Sequence, residues 1–149
     1  MKIQLPPEHI ELNLLAADRF EAIRVLFDRL VHARAFPPGS EESIFHEIAE
    51  RERTMSTGIG FGLAIPHGAS DLVPDPVLAF GHSPTGVPFD SLDGAPVRFI
   101  FLFIAPRRDF QRHLQCLRFV ARGINGMKDI NPSSTPEEIS LRFNRAAGE

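Results

Sequence analysis

The sequence predicts an α/β fold: a single domain with a central mixed β-sheet flanked by helices. Three observations lead to this fold class. Amphipathic stripes at three- and four-residue spacing lie toward both ends of the chain, and short apolar runs typical of strands lie between them. The run 97–105 is apolar almost throughout, as expected of a central strand buried on both faces. The order helix, helix, strands, helix, helix is that of a layered α/β domain.

The N-terminal part of the chain predicts two helices. Apolar residues at helical spacing mark the first, over 18–34: Phe20, Ile23, Leu26, Phe27 and Leu30. Two prolines and a glycine at 37–39 end it, and Ser40 is a suitable N-cap for the second. The second helix carries apolar residues at 44, 45 and 48, and is expected to end near 51–53.

The middle of the chain predicts strands. Glycines bracket the apolar run 63–65, which indicates a loop, a short strand and then a turn over 54–68. The runs 77–81 and 87–89 predict two further strands, with a turn at 92–94 before the central strand 97–105.

The C-terminal part predicts two more helices. The first covers about 109–122 and is expected to face inward with four residues: Phe110, Leu114, Leu117 and Val120. A capping box at 135–138 opens the last helix, which contains Ile139, Leu141 and Phe143.

Composition and charge exclude several classes of function. The chain has 149 residues, 43% hydrophobic and 23% charged, so we expect residues 1–149 to form one globular domain. A net charge of −3 without a basic block argues against nucleic-acid binding. The longest apolar run, 99–105, is too short to cross a membrane, and the N-terminus lacks the apolar stretch of a signal peptide. We therefore expect a cytoplasmic protein with no membrane insertion.

Few features of the sequence indicate a metal site or a nucleotide site. No His-x-x-x-His pair lies on one helix face, and no carboxylate lies at ligand spacing near His67. The single cysteine, Cys116, is expected to be a buried, inert thiol. The glycines over 58–62 lack both the spacing of a dinucleotide loop and the Lys-Ser/Thr of a P-loop, so they indicate a tight turn. The prediction is no metal and no cofactor.

The six histidines are the side chains best suited to chemistry near neutral pH. Four have ordinary structural interpretations: an unstructured N-terminal segment for His9, a solvated helix face for His32, a partly buried helix position for His46 and a loop for His82. His67 differs, because it follows a strand end and Pro66, where loops present reactive groups. His113 lies near the start of a predicted helix, whose dipole favours a neutral imidazole.

One stretch of the sequence is far more distinctive as a whole than any of its residues taken singly. Residues 51–68, RERTMSTGIGFGLAIPHG, resemble the signature of the type-2 enzyme IIA domain of the bacterial phosphotransferase system, the fructose/mannitol family that includes the nitrogen-regulatory IIA proteins. The block 87–97 is similar to the family's Phe-x-x-Leu-Asp-Gly-x-Pro-Val segment. The strand 101–106, followed by His113, is similar to its strand-then-histidine block. The resemblance covers about residues 10–125.

This resemblance implies that His67 is a phosphoryl acceptor, supplied by the phosphocarrier HPr or its nitrogen-branch counterpart. It further implies a site around the phosphohistidine formed by Arg51 and His113, with support from three loop residues: Ser56, Thr57 and Gly58. In sugar transport a IIB domain receives the group next; in the nitrogen branch a regulated protein is the partner.

The residue types suit phosphoryl transfer. The attacking histidine must be neutral, and the transferring group is a delocalised negative charge, so catalysis is mainly positioning and electrostatic stabilisation. Arg51 offers a forked, permanently charged donor, and a neutral His113 adds another. Ser56 or Thr57 could hold one ring nitrogen of His67 and so determine which nitrogen reacts.

Three functions stay open from the sequence. No IIB, HPr or membrane segment is joined to the chain, which favours a stand-alone nitrogen-regulatory IIA. A sugar-specific, fructose/mannitol-type IIA that passes the group to a IIB domain is the first alternative. The second is a transfer-incompetent regulatory binding module, against which the joint presence of Arg51, His67 and His113 argues.

Overall fold

A ten-residue strand at the centre of the sheet organises the fold. The computed structural model describes residues 3–127, 130 and 134–148. Within them a mixed sheet of six strands is covered by four helices, which confirms the predicted fold class. The helices and strands are β1 (Ile10–Glu11), α1 (Arg19–His32), α2 (Glu41–Thr54), β2 (Gly58–Gly60), β3 (Leu63–Ala64), β4 (His67–Ser70), β5 (Val77–Val87), β6 (Val97–Pro106), α3 (Phe110–Asn125) and α4 (Pro136–Ala147).

Strand pairing determines where the first residue of β4 lies. The sheet order is β1-β5-β6-β3-β2, and β4 also pairs with β6. The β5–β6 pair is antiparallel, whereas β3 and β4 both run parallel to β6 along its other edge. In this register His67 lies directly opposite Phe103.

The predicted burial of the central strand on both faces is confirmed. Alternate residues of β6 point to opposite faces, as the strand period requires. Ile100, Leu102 and Ile104 pack in the core under α1 and α2, whereas Phe101 and Phe103 pack in the core under α3 and α4. The central strand therefore has α1 and α2 on one face and α3 and α4 on the other.

The strand predictions between 54 and 89 need three corrections. Residues 58–60, expected as loop, form β2 and pair antiparallel with β3. The turn expected after Pro66 is the strand β4. The two strands expected over 77–89 are one strand, β5, with a register shift between His82 and Val87 that accommodates Pro84. His82 consequently lies in a strand, not in a loop, and stacks on Phe99.

The helices agree with the predictions in position and differ in detail. The side chains of Asp18 and Thr135 cap α1 and α4. Ser40 precedes α2 as expected, but its hydroxyl donates to the Pro37 carbonyl and leaves α2 without a side-chain cap. Leu114, expected inside, is 43% exposed. The side chain of Phe110 lies outside the described residues.

Two histidine environments also differ from expectation. His46 is exposed on α2, not partly buried, because the apolar stripe of that helix passes through Ile44 and Ile48. His9 lies in a short 3-10 helix, Pro7–His9, and donates from Nδ1 to the Leu78 carbonyl over 2.9 Å. That contact ties the N-terminal segment to β5.

Candidate functional site

Three side chains that are far apart in the sequence lie together where β4 begins, beside β6. Arg51 belongs to the last turn of α2, His67 is the first residue of β4, and His113 lies in the second turn of α3. The Nε of Arg51 lies 2.9 Å from the Nε2 of His67. The rings of His67 and His113 meet edge to face, with 5.3 Å between centroids.

Hydrogen bonds determine which nitrogen of His67 carries the proton. Its Nδ1 lies 2.8 Å from the carbonyl oxygen of Ile65, which can only accept. The Nε–H of Arg51 can only donate, so Nε2 of His67 is the acceptor. The neutral imidazole therefore carries its proton on Nδ1 and its lone pair on Nε2.

Both histidines of the site are held in the neutral form. Burial is the main cause that lowers the pKa of His67, and the hydrogen bond to Ile65 opposes it. The positive charge of Arg51, and that of His113 when it is protonated, lower the pKa further. The pKa of His113 is lowered by burial and by the charge of Arg51. Near neutral pH the neutral form of both imidazoles is therefore favoured, in which one ring nitrogen keeps a lone pair.

An aromatic ring supports the two imidazoles from inside. The Phe103 centroid lies 5.0 Å from that of His67 and 5.3 Å from that of His113. Phe103 is buried in the core under α3, so it forms a rigid apolar base for both rings. Sequence reasoning missed this residue, because its role follows from strand register alone.

The loop before β2 contributes differently from the sequence-based expectation. The Ser56 hydroxyl donates to the Phe89 carbonyl and accepts from the Gly58 N–H, and the Thr57 hydroxyl donates to Glu52. Neither hydroxyl holds a ring nitrogen of His67 in the described structure; the backbone carbonyl of Ile65 does so. That part of the prediction is wrong, since both hydroxyls are turned toward other partners.

Close packing disfavours a side chain at position 58. A Cβ added to Gly58 would lie 2.3 Å from the Oγ of Ser91, too close for any side chain without a shift. This close approach brings the loop of 56–58 against the segment 89–91.

An open cleft surrounds the exposed side of His67. Its walls come from the last turns of α2, the loop before β2 and one residue of α3, and its volume is about 680 Å³. Met55, 76% exposed, and Ile59 place apolar surface on one side of His67, and Glu47 and Glu50 add carboxylates. A cleft this open, with apolar patches on its walls, is suited to binding the surface of another protein.

Three further predictions concern Cys116, metal ligands and membrane-spanning helices. Cys116 is buried, and burial raises its pKa to about 11, so its thiolate is scarcely populated near neutral pH. Among residues 3–127, 130 and 134–148, no three His, Cys, Asp or Glu side chains lie together as metal ligands. No helix in that part of the chain has the length and apolar character needed to cross a membrane.

Comparison with known proteins identifies the family. The family described as "Phosphoenolpyruvate-dependent sugar phosphotransferase system, EIIA 2" matches residues 4–145. The chain belongs to this family of phosphotransfer components, which confirms the resemblance noted in the sequence.

Relatives come from two functional branches. A fructose-specific EIIA component of Haloferax volcanii is 34% identical over 119 residues, which are 80% of this chain and 76% of that protein. A nitrogen regulatory protein of Pseudomonas aeruginosa is 39% identical over 89 residues, 60% of this chain and 58% of that protein. The relatives of this chain therefore include both fructose-specific and nitrogen regulatory proteins.

Solved structures agree with the fold. The nitrogen regulatory protein IIA-Ntr of Neisseria meningitidis superposes with a TM-score of 0.78 at 28% identity, covering 93% of this chain and 95% of that one. The mannitol IIA of Escherichia coli superposes with a TM-score of 0.77 at 22% identity, covering 95% of this chain and 99% of that one. The latter likeness concerns the fold alone.

Proposed function

We propose that this chain is a phosphoryl carrier that accepts one phosphoryl group on Nε2 of His67. The observation that carries the proposal is the clamp on that imidazole: Ile65 binds the Nδ1 proton, and the Nε2 lone pair faces Arg51 beside the open cleft. A neutral imidazole with an available lone pair is a nucleophile at neutral pH. Membership of the EIIA family supports this chemistry.

Transfer is a displacement at phosphorus. The Nε2 lone pair of His67 forms the new N–P bond, while the bond between phosphorus and the donor's leaving atom breaks and that atom keeps the electron pair. No proton has to leave Nε2, and the other proton stays on Nδ1, hydrogen-bonded to the Ile65 carbonyl. The reverse step has the same geometry, as a carrier requires.

Arg51 and His113 stabilise the group in transit. The Nε–H of Arg51 must first release Nε2, after which its forked guanidinium can pair with the phosphoryl oxygens. His113, neutral and in edge contact with His67, adds a donor without adding a second charge to the nucleophile. Ser56, Thr57 and Gly58 act indirectly, since they shape the loop that lines the cleft.

We place the carrier in the nitrogen-regulatory branch, with the nitrogen-branch phosphocarrier or HPr as donor and a regulated protein as partner. The nitrogen regulatory relative at 39% identity and the IIA-Ntr structure at 28% support this choice. In this proposal residues 1–149 work as one IIA domain in the cytoplasm, without metal or cofactor.

A sugar-specific IIA is the second candidate. The fructose-specific relative at 34% identity over 80% of this chain favours it. A mannitol IIA of Escherichia coli has been solved in complex with phosphorylated mannitol IIB, so a IIB domain would be the next acceptor in that case. A transfer-incompetent binding module is the remaining alternative.

The test measures phosphoryl uptake from phosphoenolpyruvate. The wild type, His67→Ala and the control His32→Ala, which changes an exposed histidine on α1, are each incubated with enzyme I and HPr. A parallel series uses the nitrogen-branch enzyme I and its carrier. Intact mass is read at neutral pH, because phosphohistidine is acid-labile. The phosphorylated protein is then offered to fructose and mannitol IIB domains.

Each outcome decides between the candidates. One phosphoryl group on the wild type and on His32→Ala, and none on His67→Ala, supports the carrier. Uptake from the nitrogen-branch carrier without onward transfer to IIB supports the regulatory branch, whereas transfer to a IIB domain moves the chain to sugar transport. No uptake from either carrier refutes the carrier and leaves the binding module.

A further inference from the structure

A buried carboxylate lies directly behind the site. Glu52 follows Arg51 in the last turn of α2, and its side chain is 1% exposed. The Nε of Arg19, from the start of α1, lies 3.2 Å from its Oε2 as an ion pair. Burying a carboxylate is costly unless it is paired and hydrogen-bonded, so the surroundings of Glu52 are specialised.

Both oxygens of this carboxylate bind the loop before β2. The backbone N–H of Thr57 donates to Oε2 of Glu52 over 2.9 Å, and the Thr57 hydroxyl donates to Oε1 over 2.7 Å. Two bonds from one residue to one carboxylate hold both the backbone and the side chain of Thr57. Its orientation therefore depends on Glu52.

From Thr57 the hydrogen bonds continue to the reacting ring. The N–H of Ile65 donates to the Thr57 carbonyl over 3.2 Å. The carbonyl of Ile65 in turn accepts the Nδ1–H of His67 over 2.8 Å. Glu52 is thus connected to the imidazole of His67 through Thr57 and Ile65.

Arg19 fixes the carboxylate from the other side. Its Nη1 donates to Oδ2 of Asp90 over 2.6 Å, and its Nη2 lies 3.5 Å from the backbone carbonyl of Glu52. The Ser56 hydroxyl donates to the neighbouring Phe89 carbonyl. The loop of 56–58 is therefore held between the two helices and the segment 89–90.

We propose that Glu52 is a positioning residue for His67, with Arg19 as its counter-ion. By holding Thr57 it holds the Ile65 carbonyl, which keeps the proton of His67 on Nδ1 and leaves Nε2 with the lone pair. When the chain of hydrogen bonds is broken, the imidazole loses this constraint and part of the protein carries the proton on Nε2, where it blocks attack. The effect on transfer rests on the proposed function; the effect on the tautomer does not.

The test reads the tautomer directly, by long-range ¹H–¹⁵N NMR of the histidine rings, in the wild type, Glu52→Gln and Thr57→Val. Glu52→Gln removes the charge that pairs with Arg19 and replaces one of the two accepting oxygens by an NH₂ group, and Thr57→Val removes the hydroxyl with little change of shape. The matched control is Glu42→Gln, which makes the same change on an exposed glutamate of α2 that pairs with Arg24.

The wild type and Glu42→Gln are expected to show His67 protonated on Nδ1. Glu52→Gln and Thr57→Val are expected to show a mixture of tautomers. At saturating donor the rate of phosphoryl uptake should fall about tenfold or more in both variants, with a smaller change in KM, because misplacement of a reacting group by about 1 Å costs up to about 10²-fold. Thr57→Ser, which keeps the hydroxyl, should restore both the tautomer and the rate.

The proposal is overturned if folded Glu52→Gln and Thr57→Val both keep the wild-type tautomer of His67 and the wild-type rate of uptake. If Glu52→Gln does not fold, the comparison of Thr57→Val with Thr57→Ser tests the proposal by the same two measurements, the tautomer of His67 and the rate of uptake. When the wild type takes up no phosphoryl group, the proposed carrier function fails, and the tautomer comparison still supports or overturns the role of Glu52.

Discussion

Replacing Arg51 by methionine removes the guanidinium that donates to Nε2 of His67 over 2.9 Å, and keeps much of the apolar stem. Two results are expected. The pKa of His67 rises, because the charge of Arg51 is one of the causes that lower it. Phosphoryl uptake slows, because the transferring group loses a forked cationic donor.

The size of the rate effect follows from the hydrogen bonds that methionine cannot make. A hydrogen bond to a charged group contributes about 1.5–3 kcal/mol, and each ~1.4 kcal/mol corresponds to a factor of ten in rate. One missing bond to the phosphoryl oxygens therefore slows uptake about 10- to 10²-fold, and two missing bonds slow it about 10²- to 10⁴-fold. Arg51→Lys keeps the charge without the fork and is expected to lie between the wild type and Arg51→Met.

The assay is single-turnover uptake from an excess of phosphorylated carrier, read by intact mass, together with an NMR titration of His67. Arg53→Met is the matched control, since Arg53 is also an exposed arginine in the last turn of α2 and pairs with Glu50. Its rate should stay near that of the wild type. A wild-type rate in Arg51→Met, or an unchanged pKa of His67, refutes the assigned role of Arg51.

Two further predictions concern pH and packing. The pKa of His67 lies below its ordinary 6.5, so the rate of uptake in a pH–rate profile should fall on acidification with a midpoint below pH 6.5, because protonation removes the Nε2 lone pair; a midpoint at or above 6.5 contradicts the shift. Gly123→Ala would place a Cβ 2.1 Å from a ring carbon of buried Phe143. It should lower the free energy of unfolding by about 1–3 kcal/mol in denaturant titrations followed by circular dichroism, and an unchanged midpoint contradicts this.

The elements that the sequence predicted well are those with long, regular patterns. The stripe through Leu26, Phe27 and Leu30 predicted the first helix, and the capping box that begins at Thr135 marked the start of the last helix within a residue. The continuous apolar run of β6 indicated burial on both faces. Such patterns are local and repeat often enough to outweigh single exceptions.

The strands that could not be predicted from the sequence depend on pairing with strands that are distant along the chain. β2 and β4 have three and four residues and are rich in small side chains, so neither carries an alternation to recognise. β5 continues through Pro84 because β6 offers hydrogen bonds on both sides of its register shift. The stability of these strands comes from partners that no local window contains.

The same division applies to the candidate site. By itself the sequence determined the family, and with it the expectation that His67, Arg51 and His113 act together, because the motif residues are recognisable in order. Only the tertiary structure decided that Nδ1 carries the proton of His67 and that a buried Glu52 stands behind it. The first feature depends on the direction of the Ile65 carbonyl, and the second on the packing of α1 against α2. Both are determined only when segments that are distant in the sequence pack together.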